Sequence, residues 1–108
     1  METYRIEDFF RGWFIGNFKP AVYETDQFEV GLLSHKKDEI WPAHFHKIAT
    51  EYNLLISGSM TLNGIQINAG DLFIINPGEL ADPKFLEECK ILVVKTPSIP
   101  GDKYEIER

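Results

Sequence analysis

The segment that decides the fold reads PAHFHKIATE and spans residues 42–51. Successive side chains of a β-strand point to opposite faces, so His44 and His46 share one face. If residues 47–50 form the loop of a hairpin, His46 lies directly opposite Glu51, with Cβ atoms about 4.5–5.5 Å apart. The segment therefore predicts two imidazoles and a carboxylate that converge on one inward face.

This set of side chains suits a divalent transition metal with open coordination positions: Fe, Mn, Ni, Co or Zn. The predicted ligands are His44, His46 and Glu51. The same hairpin register places Asn53 opposite His44, so we expect Asn53 to contact a bound ligand. The alternative interpretation is a pair of structural histidines that are hydrogen-bonded inside a polar barrel mouth. The carboxylate at hairpin distance favours the metal site.

The rest of the chain has a sequence pattern typical of an all-β protein, because short runs rich in Val, Ile, Phe and Tyr are separated by Gly, Pro and Asn. Asn63-Gly64 suits a two-residue hairpin turn with positive φ. The opening residues 4–10 are the one candidate helix, and an extended arm is the equal alternative for them. We predict strands near residues 12–16, 28–35, 43–46, 51–57, 60–62, 65–67, 71–75 and 90–95. Eight short strands in 108 residues predict one β-barrel or sandwich.

Two motifs resemble those of the cupin superfamily. The run His44-x-His46-x₄-Glu51-x₆-Gly58 is similar to the first cupin motif, and Gly70-Asp71-x₄-Asn76-Pro77-Gly78 is similar to the start of the second. The resemblance implies an all-β, cupin-like jelly-roll barrel, frequently dimeric, with residues 1–108 as a single domain. It also implies that His44, His46 and Glu51 match three of the family's four usual metal ligands.

The sequence departs from the cupin pattern at two positions. The glycine that usually opens the first motif falls at Asp38, and the histidine that usually supplies the fourth ligand falls at Ala81. A methyl group cannot bind a metal. Water takes that position, another side chain reaches in, or the site has lost its metal. Glu79 shares strand parity with position 81 and is a candidate to contact a ligand, and the alternative interpretation is a solvent-facing loop carboxylate.

Composition excludes several classes of partner. Seventeen acidic and eleven basic residues give a formal charge of −6, which disfavours nucleic acid and anionic membranes. We expect a cytoplasmic protein, because the N-terminus lacks the features of a signal peptide and no apolar run is long enough to span a bilayer. The single cysteine, Cys89, excludes an intramolecular disulfide. The aromatic-rich strand at residues 11–15 is expected to help form a homodimer.

Two functions follow from these features. The first is a small metal-binding protein that acts as an enzyme on a small organic acid or sugar derivative. The alternative is a non-catalytic module that binds a small ligand without metal, an interpretation that Ala81 favours. A purely structural dimer gains little support, since a buried His-Glu cluster is costly unless it is used or fully hydrogen-bonded. The reaction, the substrate and the identity of the metal stay open.

Overall fold

The computed structural model describes residues 1–106, which form eleven β-strands in three sheets. The strands are β1 Trp13–Gly16, β2 Tyr23–Glu24, β3 Glu29–His35, β4 His44–Phe45, β5 Thr50–Ser57, β6 Ser59–Leu62, β7 Ile65–Asn68, β8 Leu72–Ile75, β9 Pro83–Phe85, β10 Cys89–Thr96 and β11 Tyr104–Glu105. The main sheet has the order β2-β1-β3-β10-β5-β8, the second sheet has the order β7-β6-β9, and β11 pairs with β4. The predicted all-β class is confirmed.

The eight predicted strands correspond to β1, β3 to β8 and β10, and their ends differ from the prediction by at most one residue. Sequence analysis missed β2, β9 and β11. These strands have only two or three residues, and pairing with a neighbouring strand defines them more than any apolar run does. Their local sequences therefore carry little β signal.

Residues 4–10 form neither one continuous helix nor a continuous extended arm. Two 3-10 turns, Ile6–Asp8 and Phe10–Gly12, occupy this region instead, separated by Phe9 in an extended conformation. The break turns Phe9 towards the protein, where its side chain is buried. No helix within residues 1–106 has the length and apolar character of a membrane span.

The core lies between the main sheet and the second sheet. Inward side chains of β10 alternate with outward ones, and Cys89, Ile91 and Val93 are buried. Leu55 of β5 packs beside them. The opposing sheet contributes the buried side chains of Met60, Ile67 and Phe85. Burial of a large apolar side chain contributes about 1.5–3 kcal/mol to stability, so this cluster holds the two sheets together.

Two glycine positions explain the sharp connections around the second sheet. Asn63 and Gly64 have φ values of 52° and 79°, as a type I′ turn requires, and they join β6 to β7 as predicted. Gly58 lies between β5 and β6 with a φ of 97°. A Cβ atom at Gly58 would collide with the carbonyl oxygen of Glu88, so the glycine that ends the first motif is required by packing.

The outer face of the main sheet is apolar at its β5–β8 end. Tyr52 pairs with Ile74 and Leu54 pairs with Leu72 across these two strands. Leu72 and Ile74 are 76% and 55% exposed, although both side chains are large and apolar. By contrast, β2 pairs in parallel with Ile15 and Gly16 of β1, beside the segment at residues 11–15 that we expected to help form a homodimer. We therefore propose that the homodimer forms through the outer β5–β8 face.

Light scattering at micromolar concentration tests this proposal. We expect a particle of twice the 12.5 kDa chain mass for the wild type and a monomer for Ile74→Lys, because a buried lysine without a partner destabilises an apolar interface. Ile65→Lys is the matched control, since Ile65 is also an exposed strand residue but belongs to the second sheet. A monomeric wild type, or dissociation caused equally by both substitutions, would contradict the proposed interface.

Candidate functional site

A cavity of about 720 Å³ opens between the two sheets. Its wall combines aromatic and aliphatic side chains with seven charged ones. The charged residues that line the cavity are Glu7, Arg11, Glu29, Glu39, Glu51, Lys95 and Lys103. His44 and His46 also line it, beside Glu51. A partly apolar cavity with a few converging polar groups is the usual form of a small-molecule site.

Three different connections hold the predicted ligands in place. The backbone of His44 exchanges hydrogen bonds with Ala81, at N···O distances of 3.0 and 2.7 Å. The carbonyl oxygen of His46 accepts a hydrogen bond from the amide of Gly78 at 2.7 Å. Glu51 lies within β5, between β8 and β10. The cluster is thus assembled from segments of different sheets.

The predicted hairpin between the two histidines and Glu51 is wrong. β4 pairs with β11, and the cross-strand neighbours of Glu51 are Ile75 and Lys95. Both imidazoles still reach the same cavity as Glu51, although residues 47–49 connect strands of two different sheets. Alternation along the strand correctly placed His44 and His46 together, whereas the pairing partner could not be read from loop length.

Asp102 fixes the loop that separates His46 from Glu51. Its carboxylate accepts hydrogen bonds from the backbone amides of Lys47, Ile48 and Ala49, at 2.9, 3.2 and 2.9 Å. Burial alone would raise the pKa of Asp102, but these three amides outweigh it and lower the pKa below its ordinary value. Sequence analysis missed this residue, because more than fifty positions separate it from the loop that it caps.

The donor atoms of His44, His46 and Glu51 all lie within 4.8 Å of one another. The two imidazole rings have centroids 5.4 Å apart and an interplanar angle of 81°. Nδ1 of His46 lies 3.8 Å from Oε2 of Glu51, too far for a hydrogen bond. This nitrogen is buried and has no hydrogen-bond partner among residues 1–106. A buried polar atom without a partner is costly, so the cluster has the form of an incomplete ligand set.

A second contact also fits metal binding. Nδ1 of His44 lies 3.1 Å from the carbonyl oxygen of Pro42. A neutral imidazole that donates its Nδ1–H to this oxygen leaves Nε2 as an acceptor. Histidines that bind metals commonly donate their other ring N–H to a backbone carbonyl in this way. The residues present therefore fit a divalent metal, with three donors.

The protonation states of the cluster favour neutral imidazoles. Burial, followed by the nearby positive charge of Lys95, lowers the pKa of His46 to about 4. Burial is also the main reason that the pKa of His44 lies below its ordinary value. For Glu51, burial raises the pKa, and Lys95 and the Asn53 hydrogen bond oppose the rise. Neutral imidazole is the form that binds a metal, so the histidines need not lose protons near pH 7.

Lys95 is the residue of the site that sequence analysis missed. Its Nζ atom lies 3.5 Å from Nε2 of His46 and 3.8 Å from Oε2 of Glu29, and it also lies over the ring of Trp13. The signal was present in the run Ile91 to Lys95, because strand alternation places Lys95 on the same inward face as Val93. A lysine at the end of an apolar run is usually a solvent-exposed strand end, so sequence analysis did not identify Lys95 as a site residue.

The remaining predicted residues differ in whether they line the cavity. Asn53 is buried and lines the cavity, with Nδ2 3.5 Å from the carbonyl oxygen of Phe73. Glu79 is exposed and does not line the cavity; its carboxylate accepts hydrogen bonds from the backbone and side chain of Asn76. Ala81 is buried in the wall and offers no donor atom.

A second group of polar residues lies around Trp41. Nδ1 of His35 is 2.6 Å from Oε2 of Glu39, and the His35 ring stacks on Phe85. Arg11 and Lys103 both lie over the ring of Trp41, at 5.1 and 4.5 Å from its centroid. The Nδ1 atom of His35 is thus occupied by Glu39, outside the His44–His46–Glu51 cluster. These residues give the cavity a cationic and aromatic wall.

The low pKa of His46 predicts a pH-dependent loss of stability in the metal-free protein. Between about pH 6.5 and pH 4 the unfolded chain binds a proton at His46 that the folded chain does not, so stability falls as the pH falls. We expect the wild type to lose up to about 2 kcal/mol more than His46→Gln between pH 7 and pH 5. Urea unfolding at both pH values measures this difference. Equal losses in the two proteins would contradict the assigned shift.

Comparisons with known proteins place the fold. No protein-family model matches the sequence, and no curated protein matches it significantly. A Klebsiella pneumoniae protein with a double-stranded β-helix domain superposes with a TM-score of 0.66 at 24% identity, covering 81% of each chain. A cupin-2 domain protein from Shewanella frigidimarina gives a TM-score of 0.55 at 22% identity, covering 69% of this chain and 76% of that chain.

Enzymes also share the fold. The polyketide cyclase RemF from Streptomyces resistomycificus has a TM-score of 0.67 at 21% identity, with 78% of this chain and 63% of that chain covered. A nucleoside dehydratase and a DMSP lyase are further solved structures of similar fold. Together with the eleven-strand topology, these likenesses show that the chain has the double-stranded β-helix fold of the cupins.

Proposed function

We propose that the protein binds a divalent transition metal through His44, His46 and Glu51 and uses the adjoining cavity for a small organic ligand. The observation that carries the proposal is the convergence of three donor atoms within 4.8 Å at the cavity wall. The buried, unpartnered Nδ1 of His46 supports it. When bound, such a metal supplies a Lewis acid with open coordination positions.

The charges of the cavity wall favour an organic acid over a neutral sugar derivative. Four carboxylates and three cations line the cavity, so its formal charge is −1 without metal and +1 with a divalent ion. Arg11 and Lys103 flank Trp41 and can receive a carboxylate, while the aromatic ring packs against the apolar part of the ligand. The metal and the ligand are therefore expected to bind together.

The chain's own residues suit binding and proton transfer at this ligand. Asn53 is buried within the wall and is placed to orient a polar group. Burial raises the pKa of Glu51, which makes its carboxylate a stronger base towards a bound ligand. The enzymes of similar fold support a catalytic role, but their reactions differ, and fold alone does not choose among them.

A second candidate is a small-ligand module that works without metal. Two observations favour it: the usual fourth ligand position is Ala81, and the ammonium of Lys95 lies beside His46. In this case the same cavity binds its ligand through side chains alone.

Metal titration separates the two candidates. Chelator-stripped protein without a histidine tag would be titrated by calorimetry with Fe(II), Mn(II), Ni(II) and Zn(II). We expect one ion per chain, and His46→Ala should weaken binding at least about 100-fold because it removes one of three donors. His35→Ala is the matched control, since it removes a histidine outside the cluster. Absence of binding, or equal binding by wild type and His46→Ala, would favour the metal-free module.

Thermal unfolding tests the class of ligand. Lactate should raise the melting temperature of the metal-loaded protein more than xylose does, because a ligand that binds only the folded state stabilises it. Lys103→Gln should weaken lactate binding about tenfold, given the usual energy of a charge-assisted hydrogen bond. The rise in melting temperature caused by lactate should be smaller in this variant. Lys84→Gln, at an exposed lysine of β9, is the control. An equal response to xylose, or an equal lactate effect on stripped protein, would contradict the proposed ligand class.

A further inference from the structure

Lys95 lies in the main sheet at the level of the metal cluster. Strand β10 runs between β3 and β5, and its register places Lys95 opposite Glu29 on one side and Glu51 on the other. Its side chain is only 16% exposed. A lysine buried to this degree requires partners, and it finds them in the carboxylate of Glu29 and in the imidazole of His46.

The contact with His46 opposes metal binding at either ring nitrogen. An ammonium group can only donate hydrogen bonds, so Nε2 of His46 must be the acceptor. If the metal uses Nε2, Lys95 must leave that nitrogen. If the metal uses Nδ1, the bond to Lys95 favours the tautomer that carries its proton on Nδ1, and that proton must leave. In both cases a positive charge stands beside the incoming cation.

Glu29 offers Lys95 a second position. Its Oε2 atom lies 3.8 Å from Nζ of Lys95, on the side of β10 away from Glu51. The ammonium of Lys95 also lies over the ring of Trp13, 5.2 Å from its centroid. The four-carbon lysine side chain is flexible enough to carry the ammonium from His46 towards Glu29. A metal at the cluster would repel the ammonium towards Glu29.

We propose that Lys95 is a built-in cation that competes with the metal for the His44–His46–Glu51 cluster, and that Glu29 holds Lys95 when the metal is bound. This inference rests on the proposed metal-binding function. It makes the cluster an exchange site, in which a divalent ion binds only as the ammonium withdraws. It also assigns Lys95 control over the access of the metal to His46, although Lys95 belongs to neither of the two sequence motifs.

Substitution of Lys95 tests the competition directly. Lys95→Met keeps an unbranched side chain of similar length and removes the charge. We expect it to bind Ni(II) and Zn(II) at least about tenfold more tightly than the wild type, measured by competition with a fluorescent chelator. Lys90→Met is the matched control, because Lys90 belongs to the same strand but is exposed, and its affinity should equal that of the wild type.

Glu29→Gln supplies the second half of a double-mutant cycle. In the wild-type background it should weaken metal binding, because Lys95 loses the partner that holds it away from His46. In the Lys95→Met background the effect should be at least about threefold smaller, since the residue it acts through is gone. Equal effects in the two backgrounds would show that Glu29 acts on the metal by its charge alone and would overturn its assigned role.

The outcomes separate this inference from the proposed function. Tighter binding by Lys95→Met supports the competition, even where the wild type binds too weakly to measure. Equal or weaker binding by Lys95→Met, with a wild type that binds metal, overturns the competition and leaves the metal site standing. Absence of binding in every protein overturns both. Circular dichroism checks each fold, and Lys95→Gln carries the same test if Lys95→Met does not fold.

Discussion

The inner face of the main sheet changes from apolar to charged over three cross-strand layers, and the position of the site follows from this change. The first layer contains Leu33, Ile91 and Leu55, the second contains Gly31, Val93 and Asn53, and the third contains Glu29, Lys95 and Glu51. Each layer is set by the same register between β3, β10 and β5. The charged layer can be buried only if its charges are paired or hydrogen-bonded, because isolated charges are costly in a protein interior. The barrel therefore opens into a cavity at this end, where the charges pair with each other and with the histidines.

The histidines reach this layer from outside the main sheet. His44 is held by its backbone bonds to Ala81, and the loop after His46 is held by the carboxylate of Asp102. Neither support is local in sequence. A loop whose amides all donate to one buried carboxylate has few alternative conformations, and this restricts where Glu51 can lie relative to His46. The donor set is thus pre-organised by residues that do not belong to it.

The sequence predicted the positions of the strands well but did not predict which distant strands pair. Short runs of β-forming residues between turn residues predicted β3, β5 and β10 to within one residue at each end, and alternation along a strand placed the two histidines on one face. These results depend only on local pattern, which a single sequence displays. The partner of β4 was missed, because a four-residue gap between two strands is compatible with a hairpin and equally with a crossing from one sheet to another. The contributions of Asp102 and Glu29 depend on register between distant strands, which periodicity does not contain.

The loss of a donor at Ala81 and the inward charge of Lys95 act in the same direction. Three neutral or anionic donors hold a divalent ion less firmly than four, and an adjacent ammonium weakens the hold further. A cluster selected only for tight metal binding would have neither feature. Under the proposed function, Ala81 also leaves space beside His44 for the ligand, whose carboxylate would pair with Arg11 and Lys103. Under the proposed function, the balance between ion and ligand then depends on the contacts of Lys95 with His46 and Glu29.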